Sequence, residues 1–311
     1  MTLKERLRNF LTRQPFPPTA FQLTMSGLAG VHRTGRDHRS GRHVILPLRP
    51  GSLEPSFDRP NIKDAAHVSD RVREALRQLN IRDHNVSLLV PESCLKSVIL
   101  SFDELPDSPA EREQLVLWRL RKQMPSLPEN IRLSVDVLGA DRPRKVFVSV
   151  IHPAVLAEYE GLFSRQGARV RNVSLAILSL SNLLSLENTP SGILANIEED
   201  GLSLLAIVKA EAAFYRSKPF LPDSREARSF ARRMENVARE IISTVTFLED
   251  REKTRVETLW IRAAPANGND DPLASLKSLV PLALRPVEPD RWAGLKAGEA
   301  RLLAPLIGLL P

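Results

Sequence analysis

Cys94, placed between Glu92 and Lys96 at the start of an apolar run, has the type and neighbours of a nucleophile. A working thiolate needs a cation or base to lower its pKa, and it needs exposure. Cys94 instead follows a predicted strand, so a packed thiol is the expectation. As the single cysteine it excludes an internal disulfide and a cysteine-based zinc cluster. His32, His38 and His43 lie in a basic stretch with Arg33, Arg36, Arg39 and Arg42. Metal binding would call for i, i+4 spacing on a helix or a carboxylate cluster nearby, and the sequence has neither there. Nucleic-acid binding would call for interleaved aromatic residues on which bases stack, and Val31 to Val44 contains none. A solvated hairpin is expected, with no metal and no nucleic acid. His152, before Pro153, reads as a helix-entry residue. No Walker A segment, Gly-rich dinucleotide turn, HExxH or GxSxG is present.

The elements that could position any site are well punctuated. At 311 residues the chain suggests two lobes or units, and 42% hydrophobic content supports a real core. Aromatic residues are only 5%, so that core must rest on Leu, Val, Ile and Ala. The formal charge of +7 is a mild excess that admits acidic proteins or anionic lipid as partners. No apolar run reaches the ~18 residues of a membrane span. Leu3, Leu7, Phe10 and Leu11 share one helical face beside Lys4, Arg6, Arg8 and Arg13. This segment is too charged for a signal peptide, so a soluble cytoplasmic protein is expected. A helix docked on its own domain is the preferred reading for Met1–Arg13, and peripheral contact with an anionic bilayer is the alternative.

Strands are expected at 20–25, 44–48 and 86–90, with a helix over 65–79 carrying Val68, Val72, Ala75 and Leu79. Ser108-Pro109-Ala110-Glu111 is a capping box with proline at the first helical position, so a helix starts there and ends before Pro125. With strands at 95–100, 131–138, 145–151 and 169–173 and a second helix from Pro153, residues 94–174 read as an α+β unit of order βαββαβ. Three tightly turned strands follow at 193–197, 203–208 and 212–216. A long helix from about Arg225 to Glu249, strands at 258–262 and 283–287, and an apolar tail helix (Glu299 to Leu309) complete the pattern.

Two meanders, each followed by helices, with a βαββαβ unit inserted between them, resemble the plan of the actin-like ATPase fold. The order Trp118, Pro125, Asp136, the upstream Phe102-Asp103-Glu104-Leu105-Pro106, Arg216 after an aromatic residue, and Ser243 and Phe247 in the long helix are similar to the PilM family of type IV pilus assembly proteins. The resemblance implies a duplicated ribonuclease H-like, two-lobed α/β fold. Its first lobe would be 1–93 and 175–190, its insert 94–174, and its second lobe 191–311.

Actin-like ATPases wrap ATP phosphates with two Gly-containing hairpins, because backbone N–H groups approach phosphate only where no side chain intervenes. The resemblance places Thr24-Met25-Ser26 where the first hairpin would carry Asp-Ile-Gly, and Asn196-Ile197-Glu198 at the second. Ala263 and Ala264 stand where a double glycine would meet adenosine. Thr24 and Asn196 bring no carboxylate, and Glu198 brings negative charge toward phosphate. A pseudo-ATPase that binds no ATP or other cofactor is therefore expected. By resemblance, the function is a non-catalytic scaffold of an inner-membrane pilus complex. It would bind the short cytoplasmic tail of a single-span membrane partner, with other pilus subunits and further copies of itself as additional partners. A type II secretion assembly protein and an active actin-like ATPase are the alternatives. The cleft between insert and first lobe would take the tail, with Trp118, Arg119 and Lys122 as the expected contacts.

Overall fold

The computed structural model describes residues 16–34, 41–81, 84–139, 143–186, 191–220, 229–264, 270–289, 292 and 294–310. Met1–Arg13 and His38 lie outside them. The first lobe begins with β1 (Thr19–Leu23), β2 (Gly27–Arg33), β3 (Gly41–Pro47), α1 (Ala65–Leu79) and β4 (Asn85–Leu89). A single 3-10 turn, Glu92–Cys94, leads into β5 (Leu95–Phe102), α2 (Pro109–Gln123), β6 (Arg132–Leu138) and β7 (Arg144–Ile151). Next come α3 (Pro153–Ser164), β8 (Arg169–Ser174) and α4 (Ala176–Ser181). The second lobe comprises β9 (Gly192–Ile197), β10 (Gly201–Val208), β11 (Glu211–Pro219), α5 (Phe230–Glu252), β12 (Thr258–Ala263), α6 (Pro272–Leu279) and β13 (Ala283–Pro286), and α7 (Ala297–Leu309) follows.

The two lobes repeat one design. Their sheets run β3-β2-β1-β4-β8 and β11-β10-β9-β12-β13, each with an antiparallel meander and two parallel strands beyond it. The first hairpins close alike: Thr24 N–H donates to the Gly27 carbonyl at 2.9 Å, and Glu198 N–H to the Gly201 carbonyl at 2.9 Å. Past the third strand, Leu48 N–H donates to Ser26 and Phe220 N–H to Asp200, both at 2.8 Å. A Cβ on Gly27 would sit 3.0 Å from the Leu46 carbonyl oxygen, and one on Gly201 2.8 Å from that of Lys218. Both hairpins therefore need glycine for the same packing reason.

Period-2 alternation decides what each sheet face covers. Phe21 and Leu23 of β1 face α1 and α3, while Ala20 faces α7. In the second sheet Ile193, Ala195 and Ile197 face α5 and α6, whereas Leu194 and Trp260 face α4 and Ala304 of α7. Helices α4 and α7 thus form a shared layer between the lobes, and α7, expected in the second lobe, buries Leu303, Leu306 and Ile307 against the first.

Two other expectations are corrected. The insert is the smaller βαββ unit, with sheet order β5-β7-β6 and α2 packed on one face. Strand β8 belongs to the first lobe, paired parallel with β4. Helix α3 goes with it, because Val155, Tyr159, Leu162 and Phe163 need a broad apolar partner and find one in Phe21 and α1. The Phe21 and Phe163 rings stand 5.1 Å apart. The stretch expected as a solvated hairpin contributes paired strand residues on either side of residues 35–40. Val31 and Val44 are buried, and His32 Nδ1 meets Thr19 Oγ1 at 2.8 Å.

Gly308 marks the closest approach within the shared layer. A Cβ there would stand 2.2 Å from the Ser179 carbonyl oxygen, and Asn182 Nδ2 donates to the Gly308 carbonyl at 2.9 Å. Alanine normally gains up to about 1 kcal/mol over glycine inside a helix. Here the clash dominates, so Gly308→Ala is expected to destabilise by about 1–3 kcal/mol in urea unfolding. A stabilised variant would contradict the packing described.

Candidate functional site

From Leu259 to Ala263 strand β12 is apolar except for Arg262, which is 2% exposed. The guanidinium pairs with the Glu198 carboxylate and donates to Asn196 Oδ1 at 3.1 Å. Its Nε donates to the Arg301 carbonyl at 2.9 Å and its Nη2 to the Leu302 carbonyl at 3.3 Å. The Arg301 carbonyl is available because Pro305, four residues on in α7, has no N–H to offer it. Glu198 also accepts from Gln22 Nε2 of β1 at 3.0 Å, so the chain of contacts crosses from the second lobe to the first.

The structure brings Thr24, Ser26, Asn196 and Glu198 to the tips and roots of the two paired hairpins. The Thr24 and Glu198 amides are engaged within their own turns. The Asn196 carbonyl and the Glu198 carboxylate are held by Arg262. Ala263 ends β12 opposite Ile197, and Ala264 N–H donates to the Ile197 carbonyl at 2.8 Å. Between Glu92, Ser93, Asn196, Glu198 and Asp200 the described residues leave a void of about 20 Å³, room for a single water.

Three carboxyls flank that void, and Glu198 is the one paired with Arg262. Glu92 accepts from Ile177 N–H at 3.1 Å and from the Tyr215 hydroxyl at 2.9 Å, which ties the root of the insert to α4 and β11. Burial pushes its carboxyl up to about 7 despite those bonds. Asp200 accepts from Ser93 Oγ at 2.5 Å, and burial raises it to about 6. Cys94 is structural: its Sγ donates to Asn61 Oδ1 at 3.2 Å and lies 3.3 Å from the Tyr159 hydroxyl, and burial pushes the thiol up to about 12. Among the described residues no three His, Cys, Asp or Glu side chains gather as a metal site.

A larger feature lies between the insert and the first lobe. Strands β6 and β8 each end their sheet, and residues of both line one groove of about 390 Å³. Leu95, Ile151, Leu156, Val173 and Leu178 make its apolar surface, and Arg132, Asp136 and Arg171 give it charge. Asn172 Nδ2 is buried there without a hydrogen-bond partner. A terminal strand presents unpaired backbone groups every second residue. Six residues of extended chain, about 20 Å, would match β8 in length.

Trp118, Arg119 and Lys122 do not line this groove. Leu133, Val135 and Val137 of β6 face α2, whereas Ser134 and Asp136 face the groove, so α2 covers the opposite side of the insert sheet. Val116 and Leu120 are the residues α2 buries, which turns Trp118 outward to 52% exposure. The sequence signals were not enough to show the role of Arg262 or the sheet to which β8 belongs. An arginine inside an apolar strand was the available signal for the first, and the apolar face of α3 for the second.

No protein-family model matches the sequence, and no curated protein does. Solved structures do. The PilM-PilN type IV pilus biogenesis complex matches with a TM-score of 0.72 at 13% identity, over 96% of this chain and 97% of that one. A Bacteroides thetaiotaomicron protein with the actin-like ATPase fold gives 0.53 at 8% identity, covering 96% and 97%. The cytoplasmic domain of EpsL, an inner-membrane component of the Vibrio cholerae type II secretion system, gives 0.50 at 11%, covering 93% and 94%. The chain has the two-lobed actin-like fold. Within that fold its architecture is PilM-like.

The Glu92 carboxyl yields a pH prediction with a definite sign. Its pKa is about 7 folded against 4.5 for a free glutamate side chain, so the folded state holds the proton more tightly. Its stabilising contribution is full below about pH 4.5 and is lost as pH rises through 7. Between pH 5.5 and 8 this amounts to a loss on the order of 2 kcal/mol. Glu92→Gln should flatten that slope in urea unfolding, and an unchanged slope would contradict the assignment.

Proposed function

We propose that this chain is a non-catalytic cytoplasmic scaffold of a type IV pilus inner-membrane assembly complex. Its task is to hold the short cytoplasmic tail of a single-span membrane partner. The observation that carries this reading is the groove between the free edges of β6 and β8. An extended peptide seated there gains main-chain hydrogen bonds from a strand edge and apolar contact with Leu95, Ile151 and Val173. One peptide carbonyl satisfies the Asn172 amide. One of the similar structures is itself a complex, PilM with PilN, which supports the pairing. Among the described residues no helix is long and apolar enough to cross a membrane, so attachment through a partner fits. The likeness to the EpsL cytoplasmic domain supports a second reading, in which the same groove serves a type II secretion complex.

No nucleotide takes part in this reading. The two lobes are bridged there through Gln22, Glu198 and Arg262, and the Thr24 and Glu198 amides are engaged within their own turns. Calorimetry with ATP and Mg²⁺ should detect no binding tighter than about 1 mM. Micromolar affinity, about −8 kcal/mol, would contradict it. The groove is tested in cells by a photocrosslinking amino acid at position 134 or 172. Both positions should capture a single-span membrane protein through its cytoplasmic end, and position 119 should not. Absence of such adducts at the groove positions would overturn the assignment.

A further inference from the structure

Helix α2 is left with a face that the groove does not use. Among the described residues, five large apolar side chains are exposed, and Trp118 at 52% is the most open of them. The Lys122 ammonium sits 3.9 Å from its ring centroid, a cation–π contact that keeps a charge directly over the indole. Arg119 and Arg121 are exposed beside it. Among the described residues no carboxylate pairs with Arg119, Arg121 or Lys122; Arg121 reaches only the Glu129 carbonyl, at 3.5 Å. The chain carries no acidic residue from Gln114 to Pro128, while Glu111 and Glu113 lie at the opposite end of the helix. The C-terminal half of α2 is therefore uniformly cationic around one aromatic ring.

We propose that this face docks on an anionic bilayer surface. A protein anchor of this kind would need a cup for the indole ringed by acids and a broader apolar contact around it. The face offers one flat ring with cations, and neither the groove nor the interlobe void is lined by α2. An indole with a cation above it suits the headgroup layer, where the ring sits among glycerol and acyl carbons and the charges meet phosphates. The net charge of +7 favours the same encounter. Because the insert sheet separates this face from the groove, lipid contact and peptide capture occupy opposite sides of one small unit and do not compete.

The full chain, mixed with vesicles containing phosphatidylglycerol, is expected to float with them and to ignore pure phosphatidylcholine. Trp260 and Trp292 are buried, so a blue shift of tryptophan emission on binding reports Trp118. Trp118→Phe should abolish the shift. Arg119→Glu with Lys122→Glu should weaken vesicle partitioning about thirtyfold or more, at roughly fivefold per basic residue, with an unchanged melting temperature. Three results would each overturn the proposal: no binding to phosphatidylglycerol vesicles, equal binding to both lipids, or binding that the double variant retains. Since no peptide is present, failure here leaves the groove crosslinks unaffected, and failure of the crosslinks leaves this result unaffected.

Discussion

A guanidinium that is taken out of water must find partners for its donors, and Arg262 finds them in two elements distant from it in sequence. Asn196 and Glu198 hold it from the second hairpin, and the carbonyls of Arg301 and Leu302 hold it from α7. This requirement sets where the C-terminal helix can lie, because only a helix with an orphaned carbonyl at the right height completes the set, and Pro305 creates that orphan. Glu198 then extends the arrangement to Gln22 in the first lobe. The position of α7 between the sheets and the contact of the second hairpin with β1 both follow from it.

Magnitudes separate what stabilises this junction from what shapes it. Ile177, Leu180, Leu303 and Leu306 are fully buried in the layer between the sheets. At roughly 1.5–3 kcal/mol per side chain they contribute on the order of 6–12 kcal/mol. A buried ion pair is close to neutral in net terms, although breaking one is costly. Packing therefore holds the lobes together, and the Arg262 network dictates how they meet.

Local features of the chain were legible because their causes are local. The Ser108-Pro109-Glu111 start of α2 reads directly, since its hydrogen bonds lie within one turn. The apolar period of α1 and the tightly turned strands of the second meander read equally well. What escaped was long-range. Strand β8 resembles the insert strands before it, and only its pairing with β4, eighty residues upstream, shows which sheet it extends. Trp118 looked like a cleft anchor because an aromatic beside basic residues has that composition, but helical phase turned it away from the cleft. Arg262 could be flagged as odd within Thr258–Ala263, yet nothing local indicates that its partners sit on a hairpin sixty residues before and a helix forty residues after.

The direct test of the central role of Arg262 is a double-mutant cycle with Glu198 in urea unfolding. Arg262→Met alone leaves the Glu198 carboxylate without its cation, and Glu198→Gln alone leaves a guanidinium without its anion. Each is expected to cost about 3–5 kcal/mol. The double variant removes both charges and should cost less than the sum by 2 kcal/mol or more, a coupling of the size seen for groups in one network. Strictly additive costs would mean that the two charges do not depend on one another, and the account of the interlobe junction would fail.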